Sequence, residues 1–313
     1  MGAEGRRRAQ AFGLEIDLSF EAPGLPEATG PPIGRPTRAD LVPPEEIDRD
    51  WPGGERVLEE SFDGGEPART IEAHPEAGYR LYARHFGLAR LSPSGDLIRC
   101  APPDDEPWSW QRFLVGRILP WAAVLRGLEA FHASAIAVDG RAIAFVGPTG
   151  AGKTSLAIQL AARGAAFLTD DVLALEQNTY GVVAHPGAAI ASVRDTERET
   201  MAPDLWDGVG EVLGYSEKTY VGLERFESQA PLAGIYFLRG QGEPVERIES
   251  PDPRMLLAST FVLGVRTPER LRRQLDVCAH LFRSVPMFWL TVRDGSARLA
   301  EVVEEHAAKA LIA

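Results

Sequence analysis

Apolar and polar residues alternate in short runs near the start of the chain. In "FGLEIDLSF", from Phe12 to Phe20, every second residue, starting with Phe12, is apolar. This alternation predicts a strand that is buried on one face. The stretch "YRLYARHFGLARLSPSGDLIRC" predicts further short strands, with its clearest turn at "SPSGD". Prolines and glycines are frequent from Pro23 to Gly54, which indicates an extended connector. We therefore predict a small, mostly β N-terminal module with a proline-rich connector over residues 1–108.

The pattern becomes helical from Ser109 to Gly127. Apolar residues recur there at helical spacing and form one stripe. Pro120 is expected to kink or divide this helix, because proline has no backbone N–H to donate. We place the start of the second domain at this helix, so that it covers residues 109–313.

A predicted hairpin follows the helix. Ala135–Val138 and Ala142–Val146 are two apolar β runs, and Asp139-Gly140 separates them. This dipeptide suits a tight hairpin turn, because both of its positions can adopt a positive φ.

A helix and a further strand come next in the sequence. Lys153 to Arg163 has a good helical pattern, and Gly164 is well placed to end it. Phe167–Leu168 and Val172–Leu175 are then expected to be the apolar parts of one strand. The alternation of strands and helices predicts an α/β domain.

The last third of the chain continues this alternation. Gly234 to Arg239 and "PMFWLTV" read as strands, and Ala297 to Ile312 reads as a closing amphipathic helix. Between the two strands, Thr267 is expected to cap a helix that has proline at its first position. The predicted core face of that helix comprises Leu271, Leu275, Cys278 and either Leu281 or Phe282.

Composition narrows the function classes. The net charge of −12 argues against a general nucleic-acid binder, and no apolar run approaches the roughly 20 residues that span a bilayer. The two cysteines, Cys100 and Cys278, are isolated, which excludes a disulfide framework and a multi-thiolate zinc site. With no apolar segment after "MGAEGRRRAQ", we predict a cytoplasmic protein with a frayed N-terminus.

A glycine-rich motif indicates nucleotide binding. "GPTGAGKT" matches G-x-x-x-x-G-K-[ST] between a predicted strand and a predicted helix, which is the context that the motif requires. We expect Lys153 to neutralise phosphate oxygens and the Thr154 hydroxyl to bind Mg²⁺. The predicted nucleotide-binding residues are Gly147, Pro148, Thr149, Gly150, Ala151, Gly152, Lys153, Thr154 and Ser155.

Two adjacent carboxylates follow the motif. Asp170 and Asp171 lie at the end of an apolar run. If the chain is extended there, their side chains diverge and can take different roles. One can support the metal, and the other can accept the proton of an attacking hydroxyl. In the alternative interpretation, one of them only caps the loop or faces solvent.

Together, "HASAIAVDGRAIAFVGPTGAGKTSLA" and "RGAAFLTDD" resemble the HPr kinase/phosphorylase family, and more closely its short HPr-kinase-like serine kinase branch. The resemblance implies an α/β P-loop core of the HPr kinase/PEP carboxykinase type. It places the family's proton-accepting aspartate at Asp171 and its P-loop lysine at Lys153. It also places a metal-directed carboxylate at Asp170, and at His132 a histidine that lies near the phosphates.

This chain departs from the full-length family members in one respect. Their glycine-rich signature with a metal-binding glutamate is absent, and the corresponding stretch reads "AHPGAAIASVRDTE". The departure counts against the reverse, phosphorylase reaction and against HPr as the substrate. Arg194 in this stretch is a candidate phosphate ligand. Lys218 is a candidate phosphate or substrate ligand, with a solvated lysine as the equal alternative.

The leading hypothesis is a kinase that uses ATP and Mg²⁺. It would transfer the γ-phosphoryl group to a serine or other hydroxyl of a protein or peptide, for instance a ribosomally made peptide precursor. The alternatives are a kinase for a small-molecule hydroxyl and a nucleotide-binding regulator or scaffold without transfer. Neither a nucleic acid nor a membrane is expected as a partner. Full-length members of the family form hexamers, so the resemblance leaves a homo-oligomer open.

Overall fold

The chain divides into two compact units in the computed structural model. The model describes residues 5–29, 34–62, 65–103, 107–179, 181–195, 198, 210–215, 218–262, 264–293 and 295–311. The first unit comprises Met1–Gly127 and Val262–Arg266, and the second comprises Leu128–Phe261 and Thr267–Ala313. The sequence predicted a domain boundary after residue 108. In the structure, by contrast, the helical segment that follows this position belongs to the first unit.

One sheet dominates the first unit. Among the described residues it has eight strands in the order β1-β2-β3-β8-β7-β6-β5-β4. The strands are β1 (Arg7–Ala11), β2 (Leu14–Leu18), β3 (Thr37–Leu41), β4 (Glu55–Ser61), β5 (Pro67–His74), β6 (Gly78–Ala83), β7 (Gly87–Leu91) and β8 (Leu97–Ala101). The short strands expected in the second half of this region are confirmed.

The start of the chain is more ordered than the sequence predicted. Strand β1 pairs with β2 through a turn at Phe12 and Gly13, which have φ of 55° and 74°. The basic residues of this region find acidic partners: Arg6 lies 2.7 Å from Asp17, and Arg8 lies 2.6 Å from Glu15. The predicted frayed N-terminus is therefore wrong from β1 onward; residues 1–4 lie outside the described residues.

The proline-rich connector also contains regular structure. Strand β3 and a short helix, α1 (Pro44–Asp48), lie within it, and the side chain of Ile47 in α1 is fully buried. Near Pro26 the connector runs along β1: the Gln10 N–H donates to the Pro26 carbonyl, and the Ala28 N–H donates to the Arg8 carbonyl. The expectation of a purely extended connector is therefore wrong; residues 30–33 lie outside the described part.

The helical segment is not interrupted, but its geometry changes just before Pro120, where the missing N–H was expected to kink or divide it. Helix α2 (Pro107–Phe113) continues into a π-helical turn (Leu114–Ile118) and then into α3 (Leu119–Leu125). Aromatic pairs join this segment to the N-terminal strands and turns. The pairs, with their ring-centroid distances, are Phe20–Trp110 (5.1 Å), Tyr79–Trp121 (5.5 Å) and Phe86–Phe113 (5.1 Å). This packing explains why the segment belongs to the first unit.

The second unit contains two sheets among its described residues. The larger sheet has the order β12-β10-β11-β18-β14-β13-β9, with β20 beside β18 and β19 beside β20. Its strands are β9 (Glu129–Phe131), β10 (Ala133–Val138), β11 (Arg141–Val146), β12 (Ala166–Thr169), β13 (Leu173–Asn178), β14 (Gly181–His185), β18 (Ala230–Arg239), β19 (Val245–Arg247) and β20 (Met287–Thr291). The smaller sheet, β15-β17-β16, comprises β15 (Ile190–Val193), β16 (Val212–Tyr215) and β17 (Thr219–Gly222).

Helices cover both faces of the larger sheet. These helices are α4 (Lys153–Ala162), α5 (Pro253–Leu257), α6 (Pro268–Ser284) and α7 (Gly295–Ala310). Along β18, Tyr236 packs in a cluster with side chains of α4 and α7, whereas its neighbour Phe237 packs in a second cluster with side chains of α6. Adjacent strand residues therefore serve opposite core layers, and the unit is a mixed α/β fold.

The predicted hairpin and the helix after it are confirmed. Strands β10 and β11 are antiparallel, and their turn residues Asp139 and Gly140 have φ of 49° and 73°. Helix α4 ends where Gly164 adopts a φ of 107°. The hairpin and α4 together fix both ends of the glycine-rich loop between β11 and α4.

The single strand expected between residues 167 and 175 is instead two strands. Strand β12 pairs with β10, whereas β13 pairs with β9 and β14. The chain turns sharply between them, at Asp170 to Val172. The aspartate pair therefore lies in a turn at the end of β12.

The apolar face predicted for α6 is partly wrong. Thr267 does cap the helix, and Cys278 and Leu281 are buried, but Leu271 and Leu275 are 44% and 59% exposed. The side chain of Arg270 is buried in their place, because it pairs with the buried Glu129. The predicted strand at β20 and the closing helix α7 are confirmed, but the helix ends at Ala310 and Leu311 already lies in a turn; residues 312–313 lie outside the described part.

Within the described residues, no helix combines the length and the apolar character that are needed to cross a membrane.

Candidate functional site

The glycine-rich loop, residues 147–152, connects β11 to α4. Gly150 and Gly152 have φ of 82° and 92°, a region that residues with a Cβ rarely occupy. Gly152 is also the N-cap of α4 and provides no side-chain cap. Backbone N–H groups of the first turn of a helix lack intrahelical partners, so this helix start can accept an anion.

Lys153 is held against its own loop. Its side chain is buried, and its ammonium group donates to the carbonyl of Gly147 at 2.8 Å and to that of Pro148 at 3.2 Å. Burial lowers the pKa of Lys153, the carboxylates of Asp171 and Asp170 raise it, and the positive charge of Lys218 lowers it further. The net effect is a pKa below the ordinary lysine value.

Three elements converge on the Asp170 carboxylate. Its Oδ1 accepts from the Thr154 hydroxyl at 2.7 Å and from the Ser134 hydroxyl at 2.7 Å. Its Oδ2 accepts from the Ser192 backbone N–H at 3.2 Å. The Lys218 ammonium group in turn donates to the Ser192 hydroxyl at 3.2 Å. Residues of strand β10, helix α4 and strand β15 thus donate hydrogen bonds to the two oxygens of this carboxylate.

Asp171 faces a different partner because of the turn. The Val172 N–H donates to the Asp170 carbonyl at 2.8 Å, and Asp171 between them has a φ of 66°. This is the arrangement of a γ-turn, which is strained for most residues. The Thr169 hydroxyl donates to the Val172 carbonyl at 2.6 Å and closes the turn. The chain is thus not extended at the pair, and the turn directs the two carboxylates to different partners.

His132 is the partner of Asp171. Its Nδ1 lies 3.2 Å from Asp171 Oδ1 and 3.0 Å from the Asp171 carbonyl oxygen. Both side chains are partly exposed, at 30% for His132 and 39% for Asp171. The His132 backbone N–H donates to the Ser259 carbonyl at 2.6 Å, which fixes the strand end that carries the imidazole. The pair is therefore open to a ligand.

Arg194 and Lys218 approach from the smaller sheet. They adjoin Val193 and Thr219, which are cross-strand partners in β15 and β17. A Cβ placed on Gly150 would lie 3.8 Å from Arg194 Nη1, so the guanidinium group lies beside the glycine-rich loop. With Lys153, these side chains bring positive charge to the two aspartates, which favours an anionic ligand.

One cleft gathers most of the residues that the sequence singled out. We call it the loop cleft; its lining comprises His132, Thr149, Gly150, Gly152, Lys153, Thr154, Asp170, Asp171, Ser192, Arg194 and Lys218. Gly147, Pro148, Ala151 and Ser155 belong to the same loop and helix but do not line it. Gly147 instead packs closely on Leu238, and the Ala151 N–H donates to the Pro148 carbonyl.

Ser134 and Ser192 were not identified from the sequence. Ser134 is the polar residue in the apolar strand "ASAIAV", and its side chain is fully buried. A buried hydroxyl needs a hydrogen-bond partner, so this break in the pattern was a usable signal. Ser192 has no such signal, because it acts partly through its backbone.

The oxygen ligands of the loop cleft fit a hard divalent cation. The Thr154 hydroxyl and the Asp170 carboxylate lie together, and the described residues hold no group of three His, Cys, Asp or Glu side chains that could bind a metal by themselves. Mg²⁺ is usually held by one or two protein oxygens together with phosphates and water. These two side chains would hold it in that way.

Comparison with known proteins gives loose structural similarity to solved structures. No protein-family model matches the chain, and no curated protein matches it. The structure of the Hpr(Ser) kinase/phosphatase from Coxiella burnetii is similar with a TM-score of 0.32 and 15% sequence identity. The similarity covers 58% of this chain and 97% of that chain. At this level of similarity, the function has to be argued from the site itself.

Proposed function

We propose that the chain is an ATP-dependent kinase that transfers the γ-phosphoryl group to a hydroxyl of a protein or peptide, with serine as the expected acceptor. The glycine-rich loop would act as a P-loop, with Mg²⁺ as the metal. The observation that carries the proposal is that the two adjacent aspartates have different partners. Both line the loop cleft, but Asp170 accepts hydrogen bonds from hydroxyls and a backbone N–H, whereas the Asp171 carboxylate lies beside His132.

Phosphate binding is assigned to the loop and its cationic neighbours. The N–H groups at the start of α4 and the ammonium group of Lys153 would contact the β- and γ-phosphate oxygens. Lys153 would have to exchange its present carbonyl partners, Gly147 and Pro148, for these oxygens. Arg194, beside Gly150, would add a further positive charge to the transferred group.

The metal is assigned to Thr154 and Asp170. The Thr154 hydroxyl donates its hydrogen to Asp170, which leaves the oxygen lone pairs available to a cation. When bound, Mg²⁺ would neutralise negative charge on the β- and γ-phosphates. The separate contacts of Asp170 keep it from competing with Asp171 for the acceptor.

Proton transfer is assigned to Asp171. The acceptor oxygen would form a bond to the γ-phosphorus as the bond between this phosphorus and the β–γ bridging oxygen breaks, and ADP would leave. The hydroxyl proton would pass to the Asp171 carboxylate. His132 touches that carboxylate and would orient it, or would stabilise the transferred charge as a hydrogen-bond donor. Lys218 is assigned to the phosphate or the acceptor.

The finer parts of the proposal concern the acceptor and the compartment. We propose a protein or peptide acceptor, such as a ribosomally made peptide precursor, and a cytoplasmic location, where ATP is available. A small-molecule hydroxyl acceptor and a nucleotide-binding regulator are the competing functions. The identity of the labelled product distinguishes all three.

The test is Asp171→Asn, with Asp139→Asn as its matched control. Asparagine tolerates a positive φ, so the substitution removes the charge without forcing the turn open. Asp139 also has a positive φ, of 49°, but lies in the hairpin turn, outside the loop cleft. We expect Asp171→Asn to slow phosphoryl transfer by about 10²- to 10⁴-fold, with nucleotide affinity retained, and Asp139→Asn to have no effect.

The assay uses ATP labelled at the γ-phosphate, serine-containing peptides and free serine, and follows the label by mass spectrometry and chromatography. Label on a peptide supports the proposal. Label on free serine alone would favour the small-molecule kinase, and nucleotide binding with label only in inorganic phosphate would favour the regulator. Unchanged peptide phosphorylation by Asp171→Asn would overturn the role of Asp171 as the base.

A further inference from the structure

The structure assigns to Ser134 the role of a positioning residue, one that holds the Asp170 carboxylate so that Thr154 can bind the metal of a bound nucleotide. This inference rests on the proposed function in assuming nucleotide and metal binding in the loop cleft. It adds a residue that lies outside the glycine-rich motif and outside the aspartate pair. Ser134 does not line the cleft itself and acts through Asp170.

The environment of Ser134 demands a specific role for its hydroxyl. The side chain is fully buried, in a strand whose other members are alanine, isoleucine and valine. Burying a hydroxyl costs free energy unless a hydrogen bond compensates it. The partner of this hydroxyl is Asp170 Oδ1, at 2.7 Å. Alanine would fill the same place in the strand without that cost, so the contact with Asp170 is the function of the serine.

The backbone is arranged to make this contact. Ala135 pairs with Thr169, but Ile136 pairs with Phe167, so the register of β10 and β12 shifts at this point. A bulge of this kind redirects the chain that follows it. Here it leads β12 into the γ-turn with Asp170 over Ser134. The irregularity in the sheet and the buried hydroxyl thus serve the same carboxylate.

The division of the hydrogen bonds defines what Ser134 does. Ser134 and Thr154 both donate to Oδ1, while the Ser192 N–H donates to Oδ2. A carboxylate oxygen has two lone-pair sites, so the two hydroxyls fill Oδ1. These contacts on both oxygens restrain the rotation of the carboxylate, and the Thr154 hydrogen stays directed at it. The lone pairs of Thr154 then remain available to a cation.

The test measures metal-dependent nucleotide binding rather than turnover. Ser134→Ala, Ser134→Cys and Ser134→Thr are compared with the wild type, using a fluorescent non-hydrolysable ATP analogue with EDTA and then with increasing Mg²⁺. Mg²⁺ is expected to increase the affinity for the analogue. In Ser134→Ala and Ser134→Cys, we expect the Mg²⁺ concentration that gives half of this increase to rise by about 10- to 100-fold, as when other residues that hydrogen-bond to metal ligands are replaced. Binding in EDTA should stay within about 2-fold of the wild type. Ser134→Thr keeps a hydroxyl and should retain the wild-type Mg²⁺ dependence.

A matched control separates positioning from general destabilisation. Thr291 in β20 is also buried, and its hydroxyl donates to the Glu243 carbonyl at 2.6 Å, outside the loop cleft. Thr291→Val should lower the melting temperature, as Ser134→Ala should, but should leave the Mg²⁺ dependence unchanged. If Ser134→Ala does not fold, Ser134→Cys is nearly isosteric and provides the same comparison.

The outcomes distinguish this inference from the proposed function. Wild-type Mg²⁺ dependence in folded Ser134→Ala or Ser134→Cys would overturn the role of Ser134 while leaving the kinase proposal intact. A shifted Mg²⁺ dependence in a protein that phosphorylates no acceptor would support the role of Ser134 and count against the kinase. Absence of nucleotide binding by the wild type would overturn both.

Discussion

Lys153 carries opposing influences on its charge. Burial and the charge of Lys218 lower its pKa, while Asp171 and Asp170 raise it, and burial is the largest effect. A lysine that is easier to deprotonate is a weaker phosphate ligand at high pH, because only the ammonium form attracts the anion. The pH dependence of binding therefore reports on the environment of this one side chain.

We predict that nucleotide affinity falls with rising pH, and that the fall begins at a lower pH than an exposed lysine would give. The sign follows from the lowered pKa. At a pH below this pKa, Lys153 is charged and its contribution to nucleotide affinity is constant. At a pH above it, the fraction of Lys153 in the ammonium form falls as the pH rises, and the affinity falls with it. Calorimetric titration in EDTA from about pH 7 to pH 10 covers the range. Lys153→Arg should show weaker binding without this fall, since arginine stays charged; the same fall in the arginine variant would contradict the assignment.

Many residues of the loop cleft could be predicted from the sequence, because they belong to short, recognisable motifs. The glycine-rich motif, Asp170 and Asp171 lie in short stretches with a clear pattern. The structure places both aspartates and five residues of the motif in one cleft, although their roles stay predictions. The contact of Ser134 with Asp170 spans 36 positions. It depends on a bulge and a γ-turn that contain no glycine, and no local pattern indicates either of them.

Helix α6 shows why an apolar stripe can mislead. Its leucines at 271 and 275 have core spacing, but the buried face is rotated by one residue there, so that Arg270 and Gln274 are buried instead, while Cys278 and Leu281 stay in the core. Both Arg270 and Arg273 reach the fully buried Glu129, and Gln274 donates to the Thr260 hydroxyl at 2.6 Å. Glu129 lies 141 positions from Arg270 in the sequence, so hydrophobic periodicity alone could not predict the rotation of the helix.

We predict that Arg270→Met destabilises the protein far more than Leu275→Ala does. Removing one partner of a buried ion pair costs about 3–5 kcal/mol, and here the buried Glu129 would lose one of its two cationic partners. A substitution at an exposed position usually changes the free energy of unfolding by less than about 0.5 kcal/mol. Urea unfolding monitored by circular dichroism compares the two variants, and a larger loss in Leu275→Ala would show that the leucine face is the buried one.

A ligand in the loop cleft would contact residues of one unit. Every residue that lines this cleft belongs to the second unit. The first unit has its own buried residues along β1–β8, among them Ile16, Leu91 and Ile98. Hydrogen exchange can follow the two units separately within one intact chain.

We predict that nucleotide binding slows amide exchange in β10, β12 and α4 and leaves the sheet β1–β8 unchanged. The reason is that a ligand stabilises the regions whose opening would release it. The measurement is exchange mass spectrometry of the full chain with and without the ATP analogue. The Lys153→Met variant, which lacks the phosphate-binding charge, is the control and should show no slowing. Protection of β1–β8 equal to that of α4 would contradict a local effect.

The contact of Pro26 and Ala28 with strand β1 bears on solubility. An open sheet edge can pair with an edge of another molecule and start aggregation. Along β1, the connector occupies that edge through one bridge, Ala9 with Glu27, a segment that is short, charged and next to a proline. The opposite edge strand, β4, carries Glu55, Glu59 and Glu60. The proline-rich connector thus covers part of one edge of the sheet, while the charged side chains of β4, among them Arg56, disfavour pairing with another strand at the other edge.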